Sequence, residues 1–174
     1  MPIDFQLSPS EENIRKAAAA FAAGPLKDAR KTYLQHTTNE SRFQSTRPLY
    51  SQAVTAGLIK GQITPRLGGH GGSLTEEAIL AEEMYSVEPS ASLTIFATGL
   101  GLTPLNMVGK KEEFEEFLEP FLKGEGEPLA SLVFSEPGGV ANYLEKGAPG
   151  LNTTARLEGD EWILNGEKVI LFFT

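Results

Sequence analysis

The chain has 174 residues, no cysteine and a formal net charge of −8. The lack of cysteine excludes disulfides, thiolate metal sites and thiol nucleophiles, and the acidic balance disfavours nucleic acid and anionic membrane as partners, because both reward a basic surface. No apolar run approaches the length of a membrane span, and the N-terminus has no basic leader pattern, so a cytoplasmic location is expected.

The first half of the chain has the pattern of helices. A first helix is predicted to begin at a cap formed by Ser8 or Ser10 and to end at Gly24-Pro25. A second is predicted from Arg47 to Leu58, begun by Pro48, since proline is favoured in a first helical turn. These helices carry apolar residues at helical spacing, which predicts one buried face for each.

Further helices follow a glycine-rich loop at Gly68–Gly72. A third is predicted from Ser73 to Val87, capped by Ser73 with Glu76 three residues later. A fourth, from about Ser90 to Val108, is apolar on nearly every face and is therefore expected inside a helical bundle. A fifth carries an apolar stripe made of Phe114, Phe117, Leu118 and Phe121.

Two glycines, Gly99 and Gly101, lie inside the fourth helix. Each costs about 1 kcal/mol relative to alanine in a helix, so either close helix packing or room for a ligand must offset the cost. Both readings stay open. A metal site is not expected, because His36 and His70 are far apart and have no acidic residue at ligand spacing.

The pattern changes to that of strands near Gly124 to Pro128. An apolar strand is predicted to begin at Leu132, with Val133 and Phe134 buried and a hydroxyl offered by Ser135. It leads into a glycine turn where a flat polar ligand can bind, and a plain turn is the alternative. Two β-hairpins are then predicted. The first hairpin has its turn at Gly159-Asp160. The second hairpin has its turn at Asn165-Gly166 and continues into Glu167–Val169.

The stretch from Leu129 to Val169 resembles the start of the middle β-domain in the acyl-CoA dehydrogenase superfamily, where a Ser-Glu-Pro strand lies against the flavin ring of FAD. Segments nearer the N-terminus resemble the nitroalkane oxidases of fungi, one branch of that superfamily: Asp4–Ser10, Ser41–Pro48, Val87–Pro89 and Gly124–Leu132. The resemblance implies an α+β protein, with an all-α bundle at 1–128 and the first strands of a truncated β-barrel domain at 129–174.

The resemblance also implies a site. Leu132, Val133, Phe134 and Ser135 match the strand that contacts the flavin's pyrimidine edge, and Val140, Ala141 and Asn142 match the turn that meets the cofactor further along. The fourth helix borders the substrate channel in the superfamily, which would place Thr98, Gly99, Gly101 and Leu102 along it, with simple helix packing as the alternative.

The implied function is an FAD-dependent oxidoreductase that removes a proton next to a nitro group and passes electrons to flavin N5. Ala141 stands where acyl-CoA dehydrogenases have a phosphate-binding serine, which favours a small nitroalkane over a CoA thioester. Acyl-CoA dehydrogenation is the alternative within the superfamily. A third possibility is a catalytically inactive remnant that acts as an interaction module.

The resemblance ends after Val169. Ile170 and Phe172 replace an aromatic residue and a hydroxyl that bonds flavin N5 in the superfamily. The C-terminal helical domain that carries the catalytic carboxylate there has no counterpart, so no catalytic residue is assigned. The expectation is an N-terminal portion of a parent enzyme that would form a homotetramer.

Overall fold

The computed structural model describes residues 6–138, 143–148 and 150–169. The chain divides into two compact units, a helical unit at 1–130 and a smaller unit at 131–174. The fold class agrees with the expected one, a helical domain followed by the start of a β-domain.

The first helix, α1, spans Pro9–Phe21 and is capped by Ser8. The Ser8 side chain accepts from the Glu11 N–H while the Glu11 carboxylate accepts from the Ser8 N–H, so the two residues satisfy each other's free backbone groups. The predicted start is confirmed. Gly24-Pro25 does not end the helical path, however, because the chain widens into a π-helical turn at Ala22–Leu26 that contains Pro25.

Two helices follow, α2 at Ala29–Tyr33 and α3 at Asn39–Thr55. The prediction missed α2 and began the second helix eight residues too late. Thr38 caps α3 by accepting from the Ser41 N–H, so Pro48 lies in the helix interior. A proline there removes one backbone donor, but the cap and the burial of Leu49 and Tyr50 hold the helix across it.

Short 3₁₀ turns at Lys60–Gln62 and Pro65–Leu67 lead to the expected glycine loop. Helix α4 spans Leu74–Tyr85 and begins at the predicted Ser73–Glu76 capping box. Helix α6, at Lys111–Lys123, carries the predicted aromatic stripe and ends at Gly124, whose φ of 74° favours glycine. The predicted helix starts thus agree with the structure at the two capping boxes, Ser8–Glu11 and Ser73–Glu76.

Helix α5, at Pro89–Val108, runs through the helical unit. Ile95, Thr98 and Leu102 are buried in it, but the expectation that nearly every face is covered is wrong: Leu93, Leu100 and Met107 are exposed. They are seven residues apart and so form one stripe. The described helices of this unit pack against one side of α5 and leave that stripe uncovered.

By length and composition alone, α5 could also cross a membrane. The sequence analysis found no such segment because serine, threonine and asparagine interrupt the apolar run. A core helix has the same composition as a membrane span, and α5 contributes Ala91, Ile95 and Leu102 to the core of the helical unit.

The core of the helical unit is apolar and continuous. Its fully covered members come from the π-turn, α3, the 3₁₀ segments and α4 to α6: Leu26, Val54, Ile59, Ile63, Leu67, Met84, Ile95, Leu102 and Leu118.

The smaller unit contains one antiparallel hairpin among its described residues, β1 at Thr154–Glu158 and β2 at Glu161–Asn165. The register pairs Leu157 with Trp162 across the predicted turn at Gly159-Asp160, so the first hairpin is confirmed. Gly159 has a φ of 62°, which suits glycine in such a turn. All residues of both strands are exposed except Ile163, which is half-buried.

Two other predictions for this unit are wrong. Residues 132–135 form no strand, and Val133 and Phe134 are exposed instead of buried. Residues 167–169 form no second hairpin, because the Val169 N–H donates to the Ser135 carbonyl at 2.8 Å instead of pairing with β2. In the described part of the chain no further strand covers or pairs residues 132–135, and burial of such a segment requires a partner.

Candidate functional site

The segment predicted to contact a cofactor, residues 132–135, lies in the smaller unit as chain without regular secondary structure. Leu132 and Ser135 are half-buried, while Val133 and Phe134 are exposed. The Phe134 ring meets the Tyr143 ring edge-on at 5.4 Å between centroids. The structure thus brings the four predicted residues together as an accessible surface segment.

In the described part of the chain, the backbone hydrogen bonds of residues 132–135 use carbonyl oxygens of the segment as acceptors. The carbonyls of Phe134 and Ser135 accept hydrogen bonds from Lys168 and Val169 at 2.9 and 2.8 Å. Within the described residues, nothing accepts from the N–H groups of residues 132–135. Backbone donors are strong obligatory hydrogen-bonding groups, so this segment can donate to a ligand that presents acceptor atoms.

Glu136, which follows the segment, is 2% exposed and is the only buried side chain among the described residues of the smaller unit. Its carboxylate accepts from the backbone N–H groups of Asn152 at 2.6 Å and Thr153 at 3.0 Å. Lys168 Nζ donates to the same carboxylate at 2.8 Å. These bonds hold together three stretches of chain that are distant in sequence.

Lys168 has a second and a third contact. Its ammonium donates to the Phe134 carbonyl at 2.9 Å and lies 5.8 Å from the centroid of the Phe134 ring, within the range of a cation–π contact. The side chain is 22% exposed. One ammonium therefore bridges the buried carboxylate and the segment predicted to contact a cofactor.

Hydrogen bonding holds the pKa of the Glu136 carboxyl well below its usual range. The largest cause is the bond from Lys168, followed by the backbone N–H of Asn152 and by Thr153, while burial acts in the opposite direction. Donors that bond a carboxylate stabilise its charged form. Glu136 is therefore ionised at neutral pH and has no proton to donate there.

The remaining predicted cofactor residues, Val140, Ala141 and Asn142, lie outside the described residues. The terminal residues 170–174, whose sequence departs from the superfamily pattern, lie outside them as well.

In the helical unit, the predicted channel residue Thr98 is buried. Its hydroxyl lies 2.7 Å from the Tyr50 hydroxyl, which in turn donates to the Pro128 carbonyl at 2.7 Å. Burial raises the pKa of Tyr50 to about 12, and the Thr98 bond lowers it by less. The pair links α3, α5 and the end of the helical unit through neutral groups.

Gly99 lies on the neighbouring side of α5, next to Gln62. A Cβ atom at residue 99 would lie 1.9 Å from Gln62 Oε1, and Gln62 is held because its Nε2 donates to the carbonyls of Leu58 at 2.9 Å and Ile95 at 3.1 Å. The glycine is therefore explained by close packing, the first of the two readings.

Room for a ligand exists beside the same glycine. A groove of about 430 Å³ lies between α4 and α5, with Gln62, Tyr85, Phe96, Gly99 and Asn106 among its lining residues. Leu102 is fully buried and Gly101 is half-buried, and neither lines this groove. Of the four predicted channel residues, Gly99 alone reaches it.

The sequence analysis did not predict four residues that bond or contact the predicted site residues or pair with a residue that does: Tyr50, Gln62, Glu136 and Lys168. Glu136 belongs to the Ser-Glu-Pro motif, and Lys168 belongs to the segment Glu167–Val169 of the predicted second hairpin. A carboxylate directly after a predicted buried segment is the signal that could have found Glu136, because a buried charge needs partners. Nothing in the sequence pairs Tyr50 with Thr98 or Gln62 with Gly99.

Comparison with known proteins places this geometry in context. Residues 8–125 match the model of the N-terminal domain of acyl-CoA dehydrogenases. Nitroalkane oxidase of Podospora anserina is 66% identical over 170 residues, which are 97% of this chain and 39% of that protein. The mitochondrial long-chain specific acyl-CoA dehydrogenase of Mus musculus is 30% identical over 78% of this chain and 30% of that protein.

A solved structure of Podospora anserina nitroalkane oxidase superimposes with a TM-score of 0.87 at 64% identity, covering 96% of this chain and 39% of that one. The chain thus spans about two fifths of the length of the nitroalkane oxidases it matches.

Proposed function

The chain belongs to the acyl-CoA dehydrogenase family, and on that premise we propose that it contributes the N-terminal part of an FAD-dependent nitroalkane oxidase. The observation that carries the proposal is the high identity to a nitroalkane oxidase along nearly the whole chain. A related nitroalkane oxidase is described as a flavoprotein, so FAD is the cofactor to test first.

Residues 132–135 fit the pyrimidine edge of a flavin. That edge presents two carbonyl oxygens, and the segment offers N–H groups that have no acceptor among the described residues. The Ser135 hydroxyl adds a group that can donate or accept. Leu132, Val133, Phe134 and Ser135 are therefore proposed to bind FAD, together with Val140, Ala141 and Asn142 on the turn that follows.

Bound FAD would supply the electron acceptor of an oxidation. The chain's own contribution is to bind and orient: fixed N–H donors next to a ring that gains negative charge stabilise that charge without reorganising at the moment of reaction. Glu136 is ionised and saturated with donors, so it is not proposed as the base that removes the substrate proton. No residue of this chain is given that role.

The substrate proposed is a small nitroalkane. The groove of about 430 Å³ beside Gly99 is proposed as part of a substrate channel in the helical unit, because Gly99 has no side chain to fill it and Phe96 and Leu100 supply apolar lining. Thr98, Gly101 and Leu102 are proposed to support the channel wall without lining it. Thr98 and Leu102 are buried within the helical unit.

Dehydrogenation of an acyl-CoA thioester is a second candidate, favoured by the relatives of that name. The complete enzyme to which this chain is proposed to contribute, once purified, tests both activities. We expect a flavin absorbance spectrum, oxygen consumption with a primary nitroalkane, and no anaerobic bleaching of the flavin by a fatty acyl-CoA. Bleaching without oxygen consumption would support the second candidate.

The non-enzymatic alternative has its own outcome. Protein that is folded but takes up no FAD on reconstitution would reject the oxidase proposal and favour an interaction module. A homotetramer is proposed for the assembled enzyme, and light scattering of the purified protein measures it directly.

A further inference from the structure

We propose that Glu136 and Lys168 are positioning residues for the flavin: the ion pair fixes residues 132–135 so that their N–H groups stay available to the cofactor. The inference rests on the proposed function, because it assigns a task to residues behind the proposed flavin-binding segment.

The first support is the direction of the bonds. Lys168 Nζ donates to the Phe134 carbonyl at 2.9 Å, and the next residue, Val169, donates its N–H to the Ser135 carbonyl at 2.8 Å. Both bonds use acceptors of the segment, and no acceptor for its N–H groups is found in residues 6–138, 143–148 and 150–169. A segment whose backbone hydrogen bonds to Lys168 and Val169 use its carbonyls can offer its N–H groups to a ligand with acceptor oxygens.

The second support is the burial of a charge where an apolar side chain would be expected. Burying a carboxylate costs free energy unless hydrogen bonds compensate it, and Glu136 is 2% exposed with three donors around it. The exposed apolar side chains of the hairpin, such as Trp162 and Leu164, do not fill that position. The buried group instead fixes Lys168, which holds Phe134.

The third support is charge. Lys168 is a cation that contacts residues 132–135, and its ammonium donates to the Phe134 carbonyl at 2.9 Å. A flavin gains negative charge on reduction, and a nearby fixed cation stabilises that charge. The ion pair is therefore expected to affect the bound flavin's reduction potential as well as its affinity.

The experiment uses the complete protein as expressed from its gene, with variants Lys168→Met, Lys168→Arg and Glu136→Gln. Lys146→Met and Glu161→Gln are matched controls, because both side chains are exposed residues of the same unit. Flavin fluorescence measures the dissociation constant of FAD, and spectroelectrochemistry measures the reduction potential at saturating FAD. Hydrogen exchange at the β1–β2 amides shows whether the hairpin remains folded.

We expect Lys168→Met and Glu136→Gln to weaken FAD binding by about tenfold or more, which corresponds to about 1.4 kcal/mol. Lys168→Met should also make the reduction potential more negative. Lys168→Arg should restore most of the affinity because it keeps the charge, and the controls should bind like the parent.

Unchanged affinity and potential in Lys168→Met would overturn the proposal. So would a uniform loss of hairpin protection in all three variants, since that result would make the pair a purely structural one. Failure of the parent protein to bind FAD is a different result, because it would reject the proposed function itself.

Discussion

The Tyr50 hydroxyl on α3 lies 2.7 Å from the Thr98 hydroxyl on α5, and both groups are buried in the helical unit. The same Tyr50 hydroxyl donates to the Pro128 carbonyl at 2.7 Å. A residue predicted to face a ligand channel is thus committed to a hydrogen-bond chain inside the helical unit. This chain gives α5 a fixed position relative to α3.

Tyr50→Phe should destabilise the helical unit by about 1–2 kcal/mol, because it removes both bonds and leaves the Thr98 hydroxyl and the Pro128 carbonyl without this partner. Urea denaturation followed by far-UV circular dichroism measures the change. Tyr85→Phe is the matched control, since Tyr85 stacks on Phe96 and no hydrogen bond of its hydroxyl is seen in the described residues. Equal losses in the two variants would contradict the assignment.

Stability should fall at alkaline pH. Burial raises the pKa of Tyr50 to about 12 in the folded protein, whereas an unfolded tyrosine titrates near 10. The stabilisation is therefore complete below pH of about 10 and is lost as the pH rises through the folded value. Phenolate absorbance should show a late-titrating tyrosine that Tyr50→Phe removes. If the variant keeps that late step, another tyrosine causes it.

The smaller unit should lose stability in acid. Lys168 and two backbone donors hold the pKa of Glu136 well below its usual range, and an unfolded glutamate titrates near 4.3. The stabilisation is thus present above about pH 4 and is lost as the pH falls toward the folded value. NMR signals of the hairpin amides during acid titration report it.

Glu136→Gln should flatten this acid dependence because it has no carboxyl to protonate, while Glu161→Gln should leave the acid dependence unchanged. A carboxyl resonance of Glu136 that titrates at the ordinary value would disprove the ion pair as the cause.

Gly99→Ala should destabilise the helical unit. A Cβ would lie 1.9 Å from Gln62 Oε1, and Gln62 cannot move without losing its bonds to Leu58 and Ile95. Overpacking costs about 1–3 kcal/mol, which outweighs the gain of about 1 kcal/mol in helix propensity.

Gly61→Ala provides the comparison for Gly99→Ala in a thermal melt. Gly61 lines the same groove, and a Cβ there would meet nothing within 4 Å. The melting temperature of the Gly61→Ala variant should stay near that of the parent protein. A stable Gly99→Ala protein would show that Gln62 yields easily.

Much of the helical unit could be predicted because its signals are local. Ser8 with Glu11 and Ser73 with Glu76 are capping boxes whose partners are three residues apart, and both were found in the structure. The start of α3 was misplaced because Pro48 looked like a first-turn proline. The local signal that starts the helix is Thr38, whose side chain accepts from the Ser41 N–H three residues later.

The smaller unit shows the opposite case. The turn between Glu158 and Glu161 agrees with the prediction, because the conformation of a two-residue turn that contains Gly159 depends on adjacent residues. Residues 132–135 form no strand, since a strand needs a neighbour, and within the described part of the chain Val169 supplies the one backbone–backbone bond to them. Alternation of residues cannot report whether that neighbour is present.

The sequence by itself determined the caps at Ser8 and Ser73, the first hairpin and the membership of the acyl-CoA dehydrogenase family, because each depends on residues close together in the chain or on motif order. Only the tertiary structure decided that Glu136 meets Lys168, that Tyr50 meets Thr98 and that Gln62 excludes a side chain at Gly99. These pairs are separated by 32, 48 and 37 residues. A contact at such a separation forms only when packing brings its two partners together. A local sequence pattern therefore does not predict which two residues meet.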